Sequence, residues 1–132
     1  DRSRAIDRFC QLCDVAASFG LDVALEFMRW SPVGTIEDAV AFVAQAGRPN
    51  AGVGVDALHL SRSGGRPAAL ACLPRGGSFV QLCDAPAARP ASDLMRAEAR
   101  RDRLHPGEGE LWLGRLVAAT PADQVSRTSD VR

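Results

Sequence analysis

Hydrophobic positions along the chain change repeatedly from a helical spacing to the short runs that are typical of buried strands. Residues 5–19 carry apolar side chains at helical spacing, which predicts an amphipathic helix that Gly20 ends. Residues 21–28 then predict a strand, because Val23, Leu25 and Phe27 fall on one face. The chain therefore begins with a helix that leads into a half-buried strand.

The same alternation continues through the rest of the chain. Thr35 and Asp38 have the spacing of a capping box, which predicts a second helix that runs to Ala46. The remaining elements are predicted as strands at 52–57 and 78–83 and as helices at 67–73, 94–103 and 111–119. Short strands that alternate with helices indicate a parallel sheet with right-handed crossovers.

The order of these elements favours a segment of a (β/α)₈ barrel. No Gly-rich fingerprint follows any predicted strand, so a Rossmann cofactor domain is disfavoured. We predict an α/β fold over residues 1–121: a partial TIM barrel with about three parallel strands, which this chain alone does not close. Residues 122–132 are predicted to form a polar tail, because they lack the alternation of a last barrel strand.

Composition excludes several classes of function. The 132 residues include 16 basic and 16 acidic side chains, and every basic one is arginine. A chain without net charge lacks the cationic field that nucleic-acid binding and membrane-surface binding require, so neither partner is expected. The absence of lysine excludes Schiff-base and P-loop chemistry. No transmembrane run or signal-peptide core is present, so we expect a cytoplasmic protein.

Polar residues stand at the ends of all three predicted strands. Glu26 lies in the first strand, Asp56 ends the second, and Gln81 lies in the third. Since the carboxyl ends of parallel strands meet at one edge of a sheet, these side chains are candidates to converge. Two carboxylates and an amide oxygen suit Mn²⁺ or Mg²⁺ better than structural zinc. The alternative is that Glu26 points to solvent and Asp56 caps a loop.

Four stretches carry a resemblance to a known family: Leu25-Glu26-Phe27, Val55-Asp56-Ala57-Leu58-His59, Val80-Gln81-Leu82-Cys83-Asp84, and Asp102-Arg103-Leu104-His105-Pro106-Gly107-Glu108-Gly109-Glu110. Together they resemble the C-terminal half of the sugar phosphate isomerase/epimerase family. The resemblance covers most of residues 5–120 and implies a xylose-isomerase-like TIM barrel.

The resemblance implies a divalent metal, which would be Mn²⁺, Mg²⁺ or Co²⁺. Glu26 matches the family's first metal-binding glutamate, which also serves as an acid/base in catalysis. Asp56 matches the second ligand. Gln81 falls where many members have a metal-binding histidine, and its amide oxygen is the corresponding donor.

Substrate contacts are implied on the same basis. His59 matches a histidine that contacts substrate oxygens, and Arg103 matches an arginine that holds a substrate hydroxyl or phosphate. Glu108 lies in the loop that lines the family's pocket. Independently of the resemblance, Trp30 stands in a strand-end loop and is a candidate to stack on a sugar ring.

These roles imply a metal-dependent isomerase or epimerase that acts on a sugar or sugar phosphate through a metal-stabilised enediolate. A lyase or dehydratase is a close alternative, because the enediolate can instead eliminate a hydroxyl group. The family's fourth ligand is a glutamate on the last barrel strand, and residues 122–132 contain no glutamate. A second hypothesis is therefore a non-catalytic, truncated half-barrel that self-associates, or pairs with another barrel half, through its open sheet edges.

The four cysteines are predicted to be free thiols. Cys10 and Cys13 share one face of the first predicted helix, where buried packing is the default interpretation. A zinc or redox site is the alternative, although no second pair or nearby histidine completes four ligands.

Overall fold

The computed structural model describes residues 1–121 and 125–129. Along the chain, its elements are α1 (Arg2–Ala17), β1 (Val23–Glu26), α2 (Ile36–Ala46), β2 (Ala51–Asp56), α3 (Ala57–Arg62), a 3₁₀ helix (Pro67–Cys72), β3 (Ser78–Leu82), α4 (Met95–Arg101), α5 (Leu113–Ala119) and β4 (Val125–Ser129). Within the described residues, no helix is both long and apolar enough to cross a membrane.

The strands form one parallel sheet in the order β1-β2-β3-β4, so each strand pairs with its neighbour in sequence. Strands β1 and β4 stand at the two ends of this order, and the sheet is open. The predicted α/β fold, a partial TIM barrel that this chain alone does not close, is confirmed.

Strand β4 corrects the prediction of a polar tail over residues 122–132, of which 122–124 and 130–132 lie outside the described residues. Val125–Ser129 pairs in parallel with Ser78–Leu82 of β3. The hydrophobic pattern misses this strand because ladder hydrogen bonds come from backbone groups, while its sequence shows no apolar alternation. A fourth parallel strand is therefore present, and none of its five residues is a glutamate.

Helices α1 and α2 cover one face of the sheet. Phe9 of α1 and Phe42 of α2 meet edge to face, with ring centroids 5.5 Å apart. Val53 and Val55 of β2 are fully buried in the same hydrophobic core. Each side chain buried in this way stabilises the fold by roughly 1.5–3 kcal/mol.

The ends of α2 confirm the capping prediction. Thr35 Oγ1 accepts a hydrogen bond from the backbone N–H of Asp38 at 3.2 Å. Gly47 then ends the helix in the left-handed conformation, with φ of 61°, which suits a residue without a Cβ atom.

Two other helices differ from the prediction. Helix α3 is not predicted, because the sequence analysis ends its second strand at residue 57 and places the next element only at residue 67. The helix predicted over residues 94–103 is shorter in the structure: α4 runs over Met95–Arg101 after Leu94, whose side chain makes no cap hydrogen bond. Arg103 therefore lies beyond the helix, where its side chain turns toward the strands.

The face of the sheet opposite the helices carries small and polar residues together with Phe79. Glu26 pairs in register with Gly54, and Asp56 pairs with Gln81. Since residues two apart on a strand share a face, Glu26, Asp56 and Gln81 lie on the same side of the sheet. Gly52 lies on that side too, and a Cβ atom there would come within 2.0 Å of the backbone of Gly77.

Candidate functional site

Asp56 is the buried centre of the candidate site. Its side chain is fully inaccessible at the end of β2. Oδ1 accepts a hydrogen bond from the backbone N–H of His59 at 2.9 Å, which caps α3. Oδ2 accepts a hydrogen bond from Nη1 of Arg103 in a buried ion pair. The loop-capping alternative therefore holds for one oxygen of Asp56, since that oxygen caps a helix.

Arg103 reaches Asp56 from the segment after α4. Its Nε donates to the carbonyl oxygen of Ala99 at 2.7 Å, and its Nη1 also lies 3.4 Å from the sulfur of Cys83. Burial lowers the pKa of the guanidinium, but the charge and hydrogen bond of Asp56 outweigh it and raise that pKa above its ordinary value. In this structure, the guanidinium predicted to hold a substrate forms an ion pair with Asp56.

Cys83 is a site residue that the sequence analysis does not single out. Its sulfur lies 3.8 Å from both carboxylate oxygens of Asp56. Burial, and then the charge of Asp56, raise the pKa of the thiol to about 11. The thiol is therefore protonated at neutral pH and acts as a donor in this cluster. The only sequence signal for it is its place directly after β3.

His59 is buried beside Asp56 with one unsatisfied ring nitrogen. Its Nε2 lies 4.0 Å from Oε1 of Glu26, and Trp30 meets its ring edge to face at 5.4 Å. Nδ1 is buried and has no hydrogen-bond partner among the described residues. Burial lowers the pKa of the imidazole, Arg103 lowers it further, and the nearby carboxylates only partly oppose this. The ring is therefore neutral at pH 7.

The predicted metal donors share one side of the sheet. Neighbouring strands lie about 4.8 Å apart, so donors in adjacent register positions can face one ion. Among residues 1–121 and 125–129, no three Asp, Glu, His or Cys side chains are grouped to hold a metal. The expected set of Glu26, Asp56 and Gln81 therefore depends on an amide oxygen as its third donor.

The donor chemistry fits a hard divalent cation. Each oxygen of Asp56 accepts one hydrogen bond from a nitrogen, and the Cys83 thiol lies 3.8 Å from both oxygens, so a cation would take the place of this weaker thiol contact. Glu26 keeps about two fifths of its side chain exposed, at 39%. A set of oxygen donors of this kind differs from the Cys and His ligands of a structural zinc site.

Glu108 lies on the surface of the loop after α4 and is not brought to Asp56. Its carboxylate accepts a hydrogen bond from the backbone N–H of His105 at 3.3 Å. The same loop is held by Asp84, which is buried and accepts hydrogen bonds from the backbone N–H groups of Gly107 and Leu111, each at 3.0 Å. Asp84 therefore fixes the loop that carries Glu108.

Trp30 also lines a cleft at the same end of the sheet. The cleft has a volume of about 470 Å³ and lies between the loop after β1 and the loop before α4. Arg29 and Arg89 line it together with Trp30. Because Trp30 touches both the cleft and His59, the cleft adjoins the predicted site.

A second buried ion pair supports the far wall of this cleft. Arg62 donates from Nε and Nη2 to both carboxylate oxygens of Glu98, at 2.8 and 2.6 Å. Its Nη2 also donates to the carbonyl oxygen of Pro86 at 2.9 Å. The carbonyl oxygen of Arg62 in turn accepts a hydrogen bond from Nη2 of Arg89. This cluster fixes the loop after β3 against α3 and α4.

All four cysteines are free, as predicted. Cys13 is buried in the core, and Cys10 donates to the carbonyl oxygen of Ala46 at 3.4 Å. Neither belongs to a metal-binding group in the described part of the chain. Packing is thus the interpretation that the geometry supports.

Comparison with known proteins agrees with this fold. The model of the xylose isomerase-like TIM barrel family matches residues 1–119. The 3-dehydroshikimate dehydratase of Pseudomonas aeruginosa is 34% identical over 118 residues, which is 88% of this chain and 18% of that protein. The chain therefore spans less than a fifth of the length of this curated relative.

Solved structures show the same architecture. A xylose isomerase-like TIM barrel/4-hydroxyphenylpyruvate dioxygenase fusion protein matches 99% of this chain and 21% of its own, with a TM-score of 0.84 and 27% identity. A xylose isomerase domain protein from Alicyclobacillus acidocaldarius matches 99% of this chain and 50% of its own, with a TM-score of 0.71 and 26% identity. The IolI protein, solved with a bound zinc atom, matches 96% of this chain and 46% of its own, with a TM-score of 0.75 and 24% identity, which is a likeness of fold.

The parallel sheet, the polar strand ends and the match over residues 1–119 agree with one another. This chain belongs to the xylose isomerase-like TIM barrel family.

Proposed function

We propose that this chain carries the metal-binding half of an enzyme that removes a proton beside a carbonyl group and releases water. The observation that carries the proposal is the placement of Glu26, Asp56 and Gln81 on one side of three neighbouring strands. The 34% identity to a 3-dehydroshikimate dehydratase supports dehydration as the outcome and a cyclic hydroxy-keto acid as the substrate class.

The proposed chemistry assigns each side chain a separate task. Glu26, Asp56 and Gln81 would hold a divalent cation, which supplies a Lewis acid for the substrate carbonyl. The partly exposed Glu26 carboxylate takes the proton from the carbon beside the carbonyl. The hydroxyl group on the next carbon then leaves, and the proton taken up by Glu26 passes to its oxygen, so that water is released and the carboxylate is restored. His59, neutral at pH 7, binds a substrate oxygen through Nε2, which lies 4.0 Å from Glu26.

Arg103 and Trp30 complete the proposed site. The ion pair with Asp56 gives Arg103 a positioning task, because it fixes the carboxylate beside the metal position. A substrate hydroxyl can accept hydrogen bonds from the remaining N–H groups of the same guanidinium. Trp30 supplies an apolar wall for the substrate ring, in contact with His59. Glu108 has no direct task in this proposal, because it lies on the surface of the loop after α4.

The test combines metal binding with turnover. We expect calorimetry to show Mn²⁺ binding to the protein, weakened at least tenfold by Glu26→Gln and by Gln81→Leu. The matched control is Glu37→Gln, which removes an exposed carboxylate on the first turn of α2. With Mn²⁺ present, 3-dehydroshikimate should lose water. No Mn²⁺ binding, or equal binding by all three variants, would overturn the proposal.

The isomerase or epimerase reaction begins with the same removal of a proton. It differs in the second step, because the proton returns to a carbon atom and no water is lost. Assays with ketose sugars and sugar phosphates in the presence of Mn²⁺, Mg²⁺ or Co²⁺ distinguish the two reactions. Turnover of a sugar without turnover of 3-dehydroshikimate would replace dehydration by isomerisation in the proposal.

A non-catalytic role is a second candidate, and the edge of the sheet favours it. An apolar groove of about 450 Å³ lies beside β1, lined by residues such as Phe9, Leu12 and Leu25. An open strand edge beside apolar surface promotes pairing with a second copy or with another barrel half. Light scattering on the purified chain should then give at least twice the monomer mass. A well-folded monomer would contradict this candidate.

A further inference from the structure

We propose that the cleft beside Trp30 binds the anionic group of the substrate through Arg29 and Arg89. This inference rests on the proposed function, because it identifies the substrate of that site as an acid or a phosphate ester. It begins from Arg103, whose charge is already compensated by Asp56. A substrate anion therefore requires other cations.

Arg29 and Arg89 are the cations that line the cleft. Neither forms an ion pair in the described part of the chain, in contrast to Arg62 and Arg103, which are both paired with buried carboxylates. Among the residues that the structure describes, no acidic side chain lines the cleft. Two uncompensated positive charges therefore face one concave surface, where an anion is favoured.

Arg89 is held in place before any ligand arrives. Its Nη2 donates to the carbonyl oxygen of Arg62, whose own side chain is fixed by Glu98 and by the carbonyl oxygen of Pro86. A guanidinium has five N–H donors, so this single hydrogen bond leaves the others for a ligand. Because the loop is already ordered, binding an anion here costs less conformational entropy.

The size and position of the cleft connect it with the reacting centre. Its volume of about 470 Å³ is within the usual range for a small-molecule site. Trp30 separates it from His59, whose ring lies 5.4 Å from the indole. A ring-shaped substrate that stacks on Trp30 would therefore place an anionic substituent between the arginines and its carbonyl toward His59.

The ligand chemistry is an anionic group with planar or tetrahedral oxygens, that is, a carboxylate or a phosphate. Guanidinium groups bind either one with two parallel hydrogen bonds. The two sources are distinguished with pairs of probes that differ in charge. We use 3-dehydroshikimate with its methyl ester, and ribose 5-phosphate with ribose.

Binding is measured without turnover, by the fluorescence of Trp30. The sequence contains two tryptophans, so the conservative Trp112→Phe background isolates this signal. We expect the charged member of one pair to bind at least tenfold more tightly than its neutral partner. Arg29→Gln and Arg89→Gln should each remove about tenfold of that affinity, as expected for loss of a charged hydrogen bond.

The matched control is Arg115→Gln, which removes an exposed arginine on α5, outside the cleft. It should leave both affinities unchanged. Equal affinity for charged and neutral probes, an absence of binding, or equal losses in all three arginine variants would overturn the inference. Charge-selective binding without loss of water from 3-dehydroshikimate would contradict the proposed function and leave the anion site standing.

Discussion

The guanidinium of Arg103 donates directly to the carboxylate of Asp56, so two residues expected to serve substrate and metal separately neutralise each other's charge. Asp56 is fully buried, and the Arg103 side chain is 12% exposed. Breaking such a pair leaves a buried charge without a partner.

We therefore expect Arg103→Met to lower the free energy of unfolding by about 3–5 kcal/mol. Urea denaturation followed by circular dichroism measures this loss. The double variant Asp56→Asn/Arg103→Met should recover part of it, because asparagine retains the helix cap and removes the buried charge. A single variant as stable as the original protein would show that the pair has no structural role.

Asp84 predicts a dependence of stability on acid. Burial raises the pKa of this carboxyl, but hydrogen bonds from the N–H groups of Leu111, Ala85, Gly107 and Gly109 outweigh it and hold the pKa below 3.8. The unfolded chain then binds the proton at a higher pH than the folded one. The contribution of Asp84 is therefore complete above about pH 4 and is lost as the pH falls further.

The variant Asp84→Asn isolates this effect. We expect this variant to lower the free energy of unfolding by about 1–3 kcal/mol at pH 7 and by a smaller amount below pH 3. Denaturation midpoints measured from pH 7 to pH 2.5 check both statements. The pKa of Asp14 is also lowered, by its hydrogen bond with Arg48. This contribution is the same in the original protein and in the variant, so it cancels when their stabilities are compared. Parallel pH profiles would contradict the prediction.

The cysteines should react in a defined order. Cys72 is exposed, whereas Cys83 is fully buried and its thiol has a pKa raised to about 11. Iodoacetamide at pH 8 should therefore modify Cys72 in the folded protein and leave Cys83 unmodified. Peptide mass mapping measures each site. In denaturant, all four cysteines should react, and equal rates in the folded state would contradict the burial of Cys83.

Two glycines should respond in opposite directions to alanine. A Cβ atom at Gly52 would lie 2.0 Å from the backbone of Gly77, so Gly52→Ala should destabilise the sheet by about 1–3 kcal/mol. Gly114 in α5 has open space around the corresponding position. Gly114→Ala should raise stability by about 0.5–1 kcal/mol, because alanine favours the helix. Thermal denaturation of both variants measures the difference, and equal shifts would contradict the close approach of β2 and β3.

The elements with strong local signals are predictable from the sequence. Thr35 caps α2 as its spacing with Asp38 indicates, and Gly47 ends the helix in the conformation expected of glycine. The buried strands β2 and β3 also follow from their apolar runs. In each case, the residues that determine the structure lie within one turn or one strand of each other.

The rest depends on residues that are distant in sequence. Arg62 and Glu98 are 36 positions apart, and each taken alone is typical of a solvated helix face. The ion pair of Arg103 with Asp56 spans 47 positions. Strand β4 similarly depends on the edge that β3 offers and has little hydrophobic signal of its own. The candidate metal donors at the strand ends are predictable from the sequence, but the ion pair that Asp56 forms is not.

Asp56 joins the first turn of α3, the guanidinium of Arg103 and the proposed cation at a single carboxylate. A substitution there alters helix initiation, charge balance and metal affinity together. Related sequences should therefore change at this position only with matching changes at residue 103.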